Sequence, residues 1–260
     1  VSCHLRRPAV QNDGLSLVMR FQPNCNEPSA SNLISSLVFA SRFHIHANYV
    51  LVQMADTDEN VSRCLIQDPS WMTYDLPTKM DTLRLFLAVM KHSSLLEEIA
   101  KKNETLAFIR NLLALNTPSI FLIVTTIIRR LPLDLPYIRR CSDYGLLATY
   151  FQYSFERNDS LTIHSTLLLI DTFARIGYVH QLVDACDYVS RIIMASNVDN
   201  KELWDACRVA SDLAQYPKCA AQFQSKKLDE FFFQNKNDQK LKKPAIQFFK
   251  SIKKARENKQ

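Results

Sequence analysis

Residues 119–128 read Ser-Ile-Phe-Leu-Ile-Val-Thr-Thr-Ile-Ile. From Ile120 onward only Thr125 and Thr126 interrupt the apolar run. A helix that is apolar on every side is expected to be buried on every side. Thr117-Pro118 reads as its start, because Thr can cap and Pro suits the first turn. Arg129-Arg130 closes it with cations where the helix dipole favours them. A bilayer span needs about 20 apolar residues, so this run is too short to cross a membrane. It is expected to be a core helix of an all-helical body, and no transmembrane segment is expected.

The chain has 260 residues, 47% apolar and 22% charged, enough for one large or two small domains. It has only three glycines, Gly14, Gly145 and Gly177. Phosphate-cradling loops, nucleophile elbows and tight hairpins all need glycine where backbone approaches closely or takes positive φ. Nucleotide-binding α/β folds and β-rich folds are therefore disfavoured. The seven cysteines never fall at C-x-x-C spacing, and their odd number suits a reducing compartment, cytoplasmic or nuclear. Asn60-Val-Ser, Asn103-Glu-Thr and Asn158-Asp-Ser match the glycosylation sequon and are read as chance. Val1–Pro8 has no apolar signal core, and the missing initiator Met suggests a piece of a longer protein.

Net charge is +6, unevenly spread. From Gln234 to Gln260 nine Lys/Arg stand against Asp238 and Glu257, a local net of +7, which leaves the rest of the chain at −1. The basic character belongs to the tail.

Residues 1–30 hold turn signals at Pro8, Asn12-Asp13-Gly14, Pro23 and Pro28, and read as a weakly ordered arm, with Leu15–Phe21 as a short strand or helix. Helical spacing begins after Ser31-Asn32, at Leu33, Ile34, Leu37 and Val38, and a second piece runs to Met54. His44 and His46 lie between, and with Cys25 and Cys64 they match no zinc spacing, so no metal is expected. Val61–Gln67 reads as a short helix, and Trp71 and Tyr74 as loop aromatics over a core edge.

From Pro77 a long–short–long order of helices recurs. Pro77–Lys91, Ser94–Lys101 and Asn103–Leu115 form one set, with Ser94-x-x-Glu97 as a capping box. Thr117–Leu131, Asp134–Arg140 and Ser142–Glu156 form the next. Asp159–Ile176 (stopped by Gly177), Val179–Cys186 and Asp187–Met194 follow, then Asn200–Tyr216, Pro217–Gln224 and Ser225–Gln234. Ile99, Ile138, Leu182 and Gln222 mark equivalent points 39, 44 and 40 residues apart. Lys243-Pro244 opens a last helix whose Ala245, Phe248, Phe249, Ile252 and Ala255 make one apolar stripe.

A helical period near 40–47 resembles armadillo and HEAT arrays, and the short middle helix is nearer to armadillo. The resemblance covers Pro77–Gln234, and more weakly Ser31–Gln67, in period and apolar pattern. It implies a right-handed α-solenoid of three-helix repeats over 31–234, with 235–260 as a basic linker and amphipathic helix. Importin-type armadillo proteins repeat a W-x-x-x-N pattern. Here Leu168–Ala174 and Val209–Ala214 lack it, and Trp204 is followed four residues on by Arg208, which departs from an import-receptor groove.

No catalytic constellation emerges. His164 reads as a core residue, and Asp184 and Asp187 beside Cys186 as caps at a helix junction. No catalytic residue, cofactor or metal is assigned, and the chain is not expected to be an enzyme. In armadillo proteins the third helices of successive units line the concave face. The resemblance therefore places Arg110, Asn111, Tyr150, Tyr153 and Arg191 there, where they would bind a protein or peptide partner; Tyr150 and Tyr153 serve equally as inter-repeat packing. The expectation is a non-catalytic scaffold or adaptor. A nucleic-acid-associated protein using Lys250, Lys253, Lys254 and Arg256 of the tail is the alternative, with a regulatory domain of a larger protein as the third. The same tail helix is read as a solenoid cap, as a partner-binding helix, or as one that touches an anionic membrane.

Overall fold

The computed structural model describes residues 28–73, 79–131, 134–177, 182–195 and 200–257. Among these are fifteen α-helices and no strand. The chain divides into two compact units, Val1–Phe108 and Ile109–Gln260. The division lies inside the span read as one repeat domain.

The first unit holds α1 (Pro28–Ser41), α2 (Ile45–Thr57), α3 (Glu59–Gln67), α4 (Lys79–Val89), α5 (Leu96–Lys101) and most of α6 (Asn103–Leu113). Leu51, Leu65, Ile66, Trp71 and Phe86 form its core. Trp71 is fully buried rather than set at an edge, because its indole N–H reaches the Leu65 carbonyl at 2.9 Å and is satisfied there. The capping box at Ser94 does not form. Ser94 lies in a 3₁₀ turn (Ser93–Leu95), and Leu95 precedes α5 without a side-chain cap. The Ser94 hydroxyl instead hydrogen-bonds Glu59 and, with Arg63, holds that carboxyl below its ordinary pKa. Cys64 is disulfide-bonded, contrary to the expectation of uniformly reduced thiols. The readings of residues 1–27 and of Tyr74 fall outside the described residues.

The second unit contains α7 (Pro118–Arg130), α8 (Leu135–Asp143), α9 (Leu146–Glu156), α10 (Ser160–Ile176), α11 (Leu182–Met194), α12 (Asn200–Leu213), α13 (Pro217–Ser225), α14 (Leu228–Gln234) and α15 (Lys242–Glu257). The long helices pack in succession: α7 on α10, α10 on α12, and α12 on α15. Helix α11 packs against α12 and α13.

Burial follows this order. Helix α7 is not enclosed on all sides: Leu122 is 38% exposed, Thr126 is exposed and Ile123 is half-buried. Its packing against α10 covers one face, and Leu122 and Thr126 lie off it. Helix α10 is the enclosed one, with only Ser160, Leu161, Arg175 and the His164 side chain exposed, because it has α7 on one side and α12 on another. Its ends are well defined. Asp159 caps it by accepting from the Thr162 N–H, and Gly177 ends it at φ 82°.

Two boundaries differ from the sequence reading. Gly145, at φ 73°, breaks the expected 142–156 helix into α8 and α9. Residues 182–194 are one helix, so the expected junction at Cys186–Asp187 does not exist. Asp187 is therefore no cap; its carboxylate accepts from the Gln222 amide at 2.9 Å and pairs with Lys226 at 3.3 Å.

Helix α15 buries Pro244, Ala245, Phe248, Ser251, Ile252 and Ala255. Phe248 stacks on Phe232 at 4.3 Å between ring centres and lies 6.0 Å from Phe223. The tail helix is thus part of the second unit, and Phe249, expected in the apolar stripe, is 37% exposed.

Candidate functional site

Polar ties join helices of the second unit across separations of 36 to 42 residues. Arg157 Nη1 donates to the Asn116 carbonyl at 2.7 Å, 41 residues away. Arg191 Nη1 donates to the Phe155 carbonyl at 2.7 Å, 36 residues away. The Tyr216 hydroxyl donates to the Ala174 carbonyl at 2.7 Å, 42 residues away. Each ends on a carbonyl in the last turn of a helix or in the loop after one, where carbonyls lack an i+4 partner within the helix; that of Ala174 also accepts from the Gly177 N–H at 3.1 Å. Such ties set the register of neighbouring layers, whatever else the surface does.

Arg191 stands out among them. Its guanidinium lies 4.9 Å from the Phe155 ring centre and 5.3 Å from that of Tyr188, and the two rings meet edge to face at 5.2 Å. Tyr188 is fully buried while Arg191 is exposed. The fork lies against two aromatics with one N–H used, so its remaining donors can meet a planar acceptor at little entropic cost.

The other expected site residues divide. Arg110 and Asn111 are exposed on the last turns of α6, and Tyr153 is half-buried on α9. Tyr150 is fully buried and cannot touch a partner. Its hydroxyl pairs with Thr125 at 2.8 Å, and Thr125 also reaches the Ser165 carbonyl at 3.3 Å, linking α7, α9 and α10. Burial pushes the Tyr150 phenol up to about 12. Tyr150 takes the packing role weighed for it from the sequence.

A second buried network was not anticipated. Asp171 is 5% exposed and receives Arg208 of α12 at 2.9 Å and Arg175 of its own helix at 2.9 Å. The sequence signal was there, since an acid inside the apolar run 167–174 needs a cation. Which arginine supplies it depends on how α10 and α12 pack.

Leu122, Leu161, Trp204 and Ile246 are all exposed large apolar residues, on α7, α10, α12 and α15 and spaced 39, 43 and 42 residues apart. This row was also missed, because exposure within an apolar segment cannot be read from composition.

His164 is not a core residue: its side chain is 44% exposed and 3.9 Å from Asp205. Burial raises Cys141 to about 11 and Cys207 to about 12. The neighbouring Cys219 and burial together keep Cys186 protonated. Such thiols are poor nucleophiles. Among the described residues no group of His, Cys, Asp and Glu is arranged to hold a metal ion, and His44 and His46 are both exposed. No described helix is long and apolar enough to cross a membrane.

No family model and no curated protein matches this chain. Its fold is similar to the crystal structure of an engineered protein from the Northeast Structural Genomics Consortium, with a TM-score of 0.56 over 85% of this chain and 97% of that chain, at 11% identity. That similarity speaks to the helical fold alone.

Proposed function

We propose that the second unit is an armadillo-like α-solenoid that serves as a non-catalytic scaffold. Layer ties near 40 residues and the succession α7, α10, α12, α15 support the repeat reading. The partner is a protein or peptide segment lying along the face to which α9, α11 and the end of α6 contribute. The single observation that carries this is Arg191, exposed and resting against Phe155 and Tyr188 with unused donors. It fits a carboxylate on the partner, with Tyr153, Arg110 and Asn111 as flanking contacts. Tyr150 is withdrawn from the binding set and supports the face from below.

The free thiols of Cys141, Cys186, Cys207 and Cys219 favour a cytoplasmic setting. The bonded Cys64 argues the other way. Intact mass measured with and without reductant separates the two.

The test is a peptide-display selection on the wild-type chain, followed by affinity measurement on Arg191→Ala, Arg191→Lys and Tyr153→Ala. Selected peptides are expected to carry an Asp or Glu at a fixed position. Arg191→Ala should weaken them about tenfold or more, and Lys should not restore the loss, because it lacks the planar fork. Peptides without an acidic position, or an affinity unmoved by Arg191→Ala, would overturn this reading.

A further inference from the structure

Helix α15 presents two faces of opposite character. The inner face is apolar and packed on α12, α13 and α14. The outer stripe runs Lys242, Ile246, Phe249, Lys250, Lys253, which at 3.6 residues per turn fall within one sector of about 100°. All five are exposed, with Ile246 at 47% and Phe249 at 37%. Lys243 and Lys254 flank it on one side and Arg256 on the other, and Glu257 is the only acid of the helix. Just before the helix, Phe233 is 61% exposed, with the Lys236 ammonium 3.9 Å from its ring centre.

A solvated helix face has no need of Ile246 and Phe249 among its cations. Another stacked helix is an equally poor fit, because covering this stripe would strip water from at least three lysines with no acids to receive them. Nucleic acid uses the cations but leaves the isoleucine without a role, and arginine, the residue suited to phosphate forks, is one of six cations on the helix. An anionic bilayer surface uses both features. Lysines meet lipid phosphates and carboxylates as point charges, while an apolar pair enters the boundary between headgroups and acyl chains.

The geometry points to the outer face of α15 as a docking surface for an anionic phospholipid membrane, with Ile246 and Phe249 inserted and Lys242, Lys250, Lys253 and Lys254 at the headgroups. The surface is peripheral and reversible. It lies on different helices from the Arg191 face, so the two can be tested separately.

The experiment is vesicle co-sedimentation of the full chain, with phosphatidylcholine alone and with phosphatidylcholine containing about one quarter phosphatidylserine. A DNA duplex of about 20 base pairs serves as competitor. The wild type should bind the anionic vesicles and not the neutral ones. Lys250→Gln/Lys253→Gln/Lys254→Gln should weaken binding by about two orders of magnitude, following the contribution of a single surface lysine. Ile246→Gln/Phe249→Gln should weaken it about tenfold or more with the charge unchanged. Ile246→Gln alone, the more exposed site, provides a folded control for that pair. Equal binding to both vesicles would overturn the proposal. So would anionic binding unaffected by either Ile246 variant, or duplex bound in preference to vesicles, which would make the face a polyanion site.

Discussion

The guanidinium of Arg191 lies 4.9 Å above the ring of Phe155 while one of its N–H groups holds the carbonyl of that same residue at 2.7 Å. One side chain thereby fixes the end of α9 to α11 and still faces solvent. Its two roles separate energetically. Arg191→Ala is expected to cost about 1–2 kcal/mol in urea unfolding, the sum of an exposed cation–π contact and one solvent-exposed hydrogen bond. Arg191→Lys should recover part of the stability and none of the peptide affinity. A Lys variant that restores affinity would place the partner contact elsewhere.

Tyr150 is a structural residue. Tyr150→Phe removes the hydroxyl that pairs with Thr125 and should cost about 1–2 kcal/mol while partner binding is unchanged. Tyr150→Ala should cost about 3–5 kcal/mol through the cavity it opens. Thermal melts combined with a binding assay check both, and a loss of affinity in a fully folded Tyr150→Phe would return this residue to the binding face.

The two sides of α7 should respond in opposite ways to a charge. Val124 is fully buried and Leu122 is 38% exposed. Val124→Asp should abolish cooperative unfolding, because it leaves a carboxylate without water or partner. Leu122→Asp should cost less than about 1 kcal/mol. Similar melting temperatures for the two variants would contradict this orientation of the helix.

Asp159 caps α10 and pairs with Arg157. Burial opposes its ionisation, but the Arg157 hydrogen bond and the Thr162 backbone and hydroxyl outweigh it, so its pKa is lowered below 3.8. A depressed folded pKa contributes stability above the unfolded value, and that contribution is lost as pH falls through the folded one. Asp159→Ala should therefore cost about 1 kcal/mol at pH 7. The gap to wild type should close at acid pH, below that of free aspartate. A gap that persists undiminished there would show that the charge of Asp159 does not matter.

The all-helical class was legible from local signals. Gly177 stopped its helix as expected, Asp159, read as the first residue of that helix, caps it, and ties of 41 and 42 residues run from Arg157 to Asn116 and from Tyr216 to Ala174. These depend on the backbone chemistry of neighbouring residues or on regular spacing, and both are written in the chain. The break at Gly145 was as local but was overlooked, since a lone glycine in an apolar pattern is also tolerated inside a helix.

Burial was decided at a different level. The run 119–128 looked most central, yet Leu122 is exposed and α10 is the enclosed helix, because enclosure depends on how many neighbours pack around an element. The candidate site followed the same rule. Tyr150 and Tyr153 are indistinguishable by residue type and lie three positions apart, but the first turns into contact with Thr125 and the second stays half-exposed. Arg191 was named from its type and place on a third helix; that it rests on Phe155 and Tyr188 emerged only once α9 and α11 were brought together. The sequence by itself determined the helices, most of their ends and the basic tail, since propensity, capping and charge act over a few residues. Tertiary structure alone decided which faces are covered, because covering a face requires a partner that lies tens of residues away.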